Sequence, residues 1–385
     1  WIGITAGPSE RFLFERNPYF HRVDPEGRQL PYVDRWVMQI ADSKIIPAMT
    51  GTGQSTLQAR YLRFDNFAFL RQNAERAGYK VHGWRIARGA HLALFPNLNA
   101  TDPVWRGLLR DVRFRRALSL AIHRRELNRV LYFGQAVESQ NTVLAGSPLY
   151  RPEYQSAYAA FAPEEASRLL DEIGLTKRDG RGVRLLPDGR PLVIVIETAG
   201  ESTEESDALQ LVHDSWLEVG VKLVTKPSHR DVLRNRIFAG ETLMSISAGL
   251  ENGLATADQS PQELAPTSQV QYQWPKWGQY FETGGQVGEA PDMPPAARLL
   301  ALFEAWRRAP DKASRTGLWH EMLAIHADQL FTIGLVTGVL QPVVAGRALR
   351  NVPAEGVYNW DPGAHFGIYE TDTFWLDTAA NAAPK

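Results

Sequence analysis

Three stretches of this chain carry residue types that do chemistry in other proteins, and each is tested first by its spacing. Gly51-Thr52-Gly53-Gln54-Ser55-Thr56 has the glycines and hydroxyls of a phosphate-binding loop. Such a loop needs Lys directly before the Ser or Thr and an earlier Gly with four residues between it and the second. Gln54 and Ala48 stand in those places, so the stretch reads as a polar turn between a helix and a strand. His320-Glu321 with His326 suggests a zinc helix. Zinc helices set the second His four residues on, so that both rings share a face, whereas a gap of six turns the second ring away. These histidines read as part of a solvated helix face. No G-x-S-x-G elbow occurs, and nothing selects one acid–base pair from the 43 Asp and Glu residues. With 0 Cys, thiolate metal sites, thiol catalysis and disulfides are excluded. The residues therefore argue against an enzyme and supply no catalytic residue, resident metal or cofactor.

Binding chemistry is better represented. Between residues 250 and 295 lie Glu251, Asn252, Tyr272, Trp274, Trp277, Tyr280 and Phe281. Aromatic faces stack on sugar rings or peptide side chains, while Glu and Asn supply directed hydrogen bonds. Glu251 and Asn252 follow an expected strand at Leu243–Ser247, and open α/β sheets place ligands beyond strand ends. The competing reading is that Trp274 and Trp277 pin a long loop and Glu251 is a surface charge. Tyr358 and Trp360 near the C-terminus face the same choice between ligand contact and packing anchor. The expected ligand set is Glu251, Asn252, Tyr272, Trp274, Trp277 and Trp360.

The elements that must position these residues alternate between strand and helix, an α/β pattern. Asp111–Phe133 reads as one helix, with Phe114, Ala117, Leu118, Ala121 and Ile122 in phase and Gly134 as its stop. Ala162–Leu175 is a second helix, opened by Pro163. Leu192–Glu197 is a continuous apolar run, as in a strand buried on both faces. A helix over Ser206–Val219, a strand over Val221–Thr225, a short helix over Val232–Phe238 and the strand Leu243–Ser247 follow. Residues 250–295 lose all periodicity, which marks a long functional or irregular segment. Pro295–Arg308 and Lys312–Leu330 read as a helical hairpin, and short strands follow Phe331. The 385 residues suffice for two or more domains. A net charge of −1 provides no field to draw nucleic acid or an anionic membrane.

One stretch carries a resemblance. Phe14–Asp34 contains Arg16-Asn17-Pro18-Tyr19-Phe20-His21 and, after a polar loop, Pro31-Tyr32-Val33-Asp34, followed by a strand over Trp36–Ile40. This is similar to the R-N-P…P-Y-(L/V)-D signature of the family 5 solute-binding proteins, the receptors of peptide, nickel and oligosaccharide ABC importers. Asp111–Leu118 with Ala121-Ile122-His123-Arg124 resembles the family's D-V-R-x-R-x-A-(L/I)-x-x-A-I-D-R helix, His123 replacing the usual Asp. Pro163–Gly174, Asp188–Leu192, Trp216–Val221 and the Glu251–Gly278 region resemble further family segments in the same order. Gly53–Leu57 departs from the family's G-E-x-D-(L/I), with Thr56 in place of Asp. The resemblance spans nearly the whole chain.

It implies a two-lobed, type II periplasmic-binding-protein-like fold, cluster C-like. In this family the signature follows a long N-terminal segment, so the first lobe is expected to be incomplete here. Residues 1–105 would belong to the first lobe, 106–335 would form the second, and 336–385 would return to the first. Ile333–Val344 and the segment near Trp105 would hold the strands between lobes. The implied function is capture of a short peptide by hinge closure and delivery to a membrane permease and its ATPase, by a monomeric bacterial receptor that is periplasmic or otherwise extracytoplasmic. An oligosaccharide is the alternative cargo, and scattered His residues argue against nickel. A periplasmic hydrolase or a chemosensory receptor on a related scaffold is the rival from another class.

Overall fold

The apolar run read as a doubly buried strand becomes the strand Val193–Thr198, with Ile194 and Ile196 fully buried. It lies inside a six-stranded sheet, between Met244–Ser247 and Lys222–Pro227 and parallel to both. The helices Thr203–Glu218 and Arg230–Ala239 make the crossovers, giving a β-α-β-α-β unit. Ser202 opens the first of these helices by accepting a hydrogen bond from the Glu205 amide, and Glu204 and Glu205 lie at its positive end. Gly240 ends the second at φ 79°. A Cβ there would lie 2.5 Å from the Asn99 carbonyl, so both conformation and space require glycine. The other half of the sheet is antiparallel: Leu92–Pro96 pairs with Met244–Ser247 on one side and Ile333–Thr337 on the other, and Val137–Glu138 forms the edge.

This is a computed structural model, and it describes residues 1–379. The chain divides into two units, one comprising Ala87–Gly338 and the other Trp1–Ile86 with the chain from Val339 onward. The first junction falls earlier than the expected residue 105. The reason is the strand Leu92–Pro96, which is hydrogen-bonded on both edges within Ala87–Gly338. Trp105, expected near an interlobe strand, sits in the helix Pro103–Arg110, whose first amides are capped by Asp102.

Two expectations within Ala87–Gly338 are corrected. Asp111–Phe133 is two helices, Val112–Leu120 and Arg124–Tyr132. The break is made by His123, whose Nδ1 accepts from the Glu126 amide at 3.2 Å and so caps the second helix. Arg124, buried beside it, donates to the carbonyls of Ser119, Ala159 and Gly334 at 2.8, 3.1 and 2.9 Å. Burial lowers its pKa to about 9. Apolar phase continues through the break and conceals it. Residues 250–295 also contain more structure than expected: the helix Pro275–Glu282 and a 3-10 turn at Gln262–Leu264. Pro275 suits a first turn, but the cap is remote. Asn99 Oδ1 accepts from the Lys276 and Trp277 amides at 3.0 and 3.4 Å. The helical hairpin forms as Pro294–Arg308 and Lys312–Gln329.

In the other unit, Leu340–Gly346 lies between Leu57-Gln58 and Tyr79–Arg85, and the helix Phe67–Ala77 contributes Leu70 to a core with Leu62, Tyr79 and Val344. The Gly51–Thr56 stretch is a turn after the helix Ile46–Gly51. Thr50 and Thr52 bond their hydroxyls to the carbonyls of Ile46 and Met49, which leaves nothing cradle-like. Ile2-Gly3, Arg11–Glu15 and Arg35–Gln39 form an antiparallel sheet. The signature between its last two strands folds back on itself. Asn17 accepts from the Tyr19 amide, Gln29 Nε2 donates to the Pro18 and Phe20 carbonyls, and the Arg16 amide donates to Asp34. The Tyr32 hydroxyl donates to Asp24 at 2.6 Å and, with Arg28, holds that carboxyl well below its usual range. The signature residues are therefore loop staples.

Candidate functional site

The strand Met244–Ser247 ends in the loop Ala248–Gly253, which is held by backbone hydrogen bonds on both sides. Gly249 donates to Ala90 and Gly253 to Ala87, while Gly89 donates to Leu250 and Leu144 to Gly253. Asn141 fastens it from the side: its Oδ1 accepts from the Leu250 amide at 2.7 Å and its Nδ2 donates to Thr332 at 3.0 Å. Packing is so close that a Cβ on Gly249 would lie 2.1 Å from Asn141 Oδ1. Buried Asn252 turns its Oδ1 to the Leu254 amide, and the Glu251 carboxylate lies 3.4 Å from Arg88 Nε. The Glu251 amide donates to Glu263. Glu251 and Asn252 thus tie the loop to Arg88, Glu263 and Leu254.

Above the loop lies a cavity of about 330 Å³. Ser247 to Leu250, Phe95, Asn141 and Thr332 line one part, and Glu263, Leu264 and Val270 to Gln273 another, with Arg234 and His326. Of the six expected ligand residues, Tyr272 lines it. Its ring meets Phe95 edge-on at 5.9 Å. Trp274 and Trp277 are both 0 % exposed. Trp274 packs against Phe331 at 5.0 Å and His326 at 5.8 Å and donates Nε1 to Gln271 Oε1 at 2.9 Å. Arg110 stacks on Trp277 at 5.2 Å. No indole face is presented to solvent here. Trp360 belongs to the other unit, is 63 % exposed and lies 5.8 Å from the His365 ring. Tyr358 stacks on His365 at 4.7 Å.

Gln271 knots the aromatic segment together. Its Oε1 also accepts from the amides of Thr267 and Ser268, and its Nε2 donates to the carbonyls of Gln262 and Glu263. His326 is half-buried at the cavity wall and neutral. Its Nε2 must carry the hydrogen, because it faces the Leu264 carbonyl at 2.8 Å. Burial pushes its pKa down to about 4. His320 meets Tyr154 instead, and desolvation lowers its pKa as well. The expected solvated face is thus partly buried, and its two rings serve different neighbours. Among the described residues no group of three or more His, Cys, Asp or Glu side chains could hold a metal ion. A second, open groove of about 460 Å³ runs between Pro294–Arg308 and Lys312–Gln329, where Arg298 and Glu321 already pair.

Sequence reasoning missed Phe95, Asn141, Arg234 and Gln273. Gln273 alone had a local signal, as the polar neighbour of Tyr272 within the aromatic stretch. The other three reach the cavity from distant segments.

A mixed α/β sheet with a cavity beyond a strand end is an architecture that suits the binding of a small solute. The chain belongs to the bacterial extracellular solute-binding proteins, family 5, whose middle-region model matches residues 5–269. Its fold is that of the type II periplasmic binding proteins. A solved oligopeptide-binding protein OppA is 31% identical, with a TM-score of 0.68 over 97% of this chain and 62% of its own. The periplasmic binding protein MelB of Agrobacterium fabrum C58, solved with stachyose, superposes with a TM-score of 0.77 at 19% identity, covering 98% of this chain and 57% of its own. The periplasmic alpha-galactoside-binding protein of Rhizobium meliloti (strain 1021) is 22% identical over 94% of this chain. That alignment spans 53% of the relative, so the chain matches about half its length.

Proposed function

We propose that this chain is part of the solute receptor of an ABC importer, binding a short peptide outside the cytoplasm and passing it to membrane permease and ATPase subunits. Family membership over residues 5–269 is the observation that carries this reading. The likeness to an oligopeptide-binding protein supports the peptide. The cavity supports binding without chemistry, since burial keeps its histidine neutral and its amides serve mainly as fasteners. The receptor acts as a monomer. No helix among the described residues is long and apolar enough to cross a membrane. An oligosaccharide is the second reading, favoured by the alpha-galactoside-binding relative that aligns with 94% of the chain and by the Tyr272 ring in the cavity.

Mass spectrometry of solute released by denaturing full-length protein, purified natively from its source, tests the reading. A peptide at one per chain is expected, and an oligosaccharide would select the second reading. Incubation with peptide and oligosaccharide libraries should leave both intact, and released fragments would overturn a binding-only role.

A further inference from the structure

The polar side chains of the cavity differ in how their hydrogen-bonding capacity is used. Asn141, Gln271 and His326 spend theirs on the protein, and Glu263 accepts from the Glu251 amide at 3.0 Å. Gln273 and Arg234 do not. Gln273 is only 5 % exposed, yet among the described residues its side-chain amide makes no hydrogen bond to the protein. Its backbone carbonyl is used, accepting from the Leu98 amide at 2.8 Å. A carboxamide brings two donors and an acceptor, and with no protein partner they stay open to the cavity and to whatever fills it. Arg234 stands out on its own helix. Arg230 pairs with Glu201, and Arg236 pairs with Glu197 and Glu241. Arg234, between them, has no ion pair or hydrogen bond among the described residues, and it lines the same cavity.

We propose that Gln273 hydrogen-bonds the bound solute directly and that Arg234 makes this cavity selective for solutes carrying an anionic group such as a carboxylate. The proposal rests on the solute-receptor reading and deepens it. A carboxamide buried in a cavity matches a group that both donates and accepts, such as a peptide unit. A guanidinium free of acidic partners offers two parallel N–H donors to a carboxylate. Together they favour a peptide with a free C-terminus over a neutral sugar.

The test uses full-length protein and three probe sets: free-acid tripeptides to pentapeptides, the same peptides with amidated C-termini, and the neutral galactosides raffinose and stachyose. Retention is read by native mass spectrometry and affinity by calorimetry, with a melting curve for each variant. The parent should prefer free-acid peptides by ~10-fold or more, the scale of a charge-assisted contact. Arg234→Gln should abolish that preference at an unchanged melting temperature, because the side chain is exposed. Gln273→Met, close in volume, should weaken free-acid and amidated peptides alike by ~5-fold or more. If that variant melts early, Gln273→Asn keeps the amide but withdraws it, and should weaken binding in the same way. Equal retention of acid and amide by the parent, or a preference surviving Arg234→Gln, overturns the charge selectivity. Full affinity in both Gln273 variants overturns the direct contact and leaves a bound water as that amide's partner. Retention of galactosides alone refutes the anionic solute while leaving a receptor in place. Retention of no probe by the folded parent refutes the receptor reading itself.

Discussion

Trp274→Ala separates a ligand platform from a packing anchor. Trp274 is 0 % exposed, its ring lies 5.0 Å from Phe331 and 5.8 Å from His326, and its Nε1 donates to Gln271 at 2.9 Å. Truncating a buried Trp removes that contact surface and leaves a cavity, at about 3–5 kcal/mol. For a unit the size of Ala87–Gly338, each kcal/mol moves the melting temperature by about 2–4 °C, so a fall of roughly 6–20 °C is expected. Water reaching the vacated space also relieves the desolvation of His326. Its pKa should then rise from about 4 toward the ordinary 6.5, a change read by NMR titration of its ring protons. Trp274→Phe keeps most of the packing and loses one hydrogen bond, so it should cost only about 1 kcal/mol. Calorimetry of the melts and of solute binding, on the same variants, decides the matter. A Trp274→Ala protein that melts within about 2 °C of the parent yet binds solute ~10-fold more weakly would refute the anchoring argument and make the indole a stacking surface.

Two further outcomes follow from the same unit. Because His326 has a folded pKa of about 4 against 6.5, the unfolded chain alone takes up that proton between those values. Stability is full above pH 6.5 and falls by about 3 kcal/mol as pH drops through the window to 4. Urea titrations at both ends should show that loss reduced in His326→Gln, which keeps a donor for Leu264; an equal loss in the variant would assign it to carboxyl groups. Gly249→Ala places a Cβ 2.1 Å from Asn141 Oδ1 and should cost about 1–3 kcal/mol while breaking the Leu250–Asn141 bond. Its amide-exchange protection should fall in the Ala248–Gly253 loop first, and unchanged protection there would show that the loop is not held as described.

What the chain reveals unaided is whatever depends on neighbours in sequence. The buried strand at Val193–Thr198 and the helices Pro163–Glu172 and Pro294–Arg308 were legible because apolar phase, Pro at a first turn and terminal Gly are local signals. The failed spacings at Gly51–Thr56 and His320–His326 were legible for the same reason. The ordered motifs disclosed the family without any contact being known. Tertiary structure decided what depends on distant partners. Asp111–Phe133 breaks in two where His123 caps the second helix and Arg124 beside it reaches the carbonyls of Ala159 and Gly334, and Asn99 caps Pro275–Glu282 from afar. Trp274 and Trp277 have the composition of a binding platform, but their burial is set by Phe331, His326 and Arg110, none of them nearby in sequence. The cavity draws Phe95, Asn141, Arg234, Gln273 and Thr332 from five separate segments. Which of their polar groups remain unpaired is a property of that convergence, because a side chain's hydrogen bonds are spent or kept only once its neighbours in space are present.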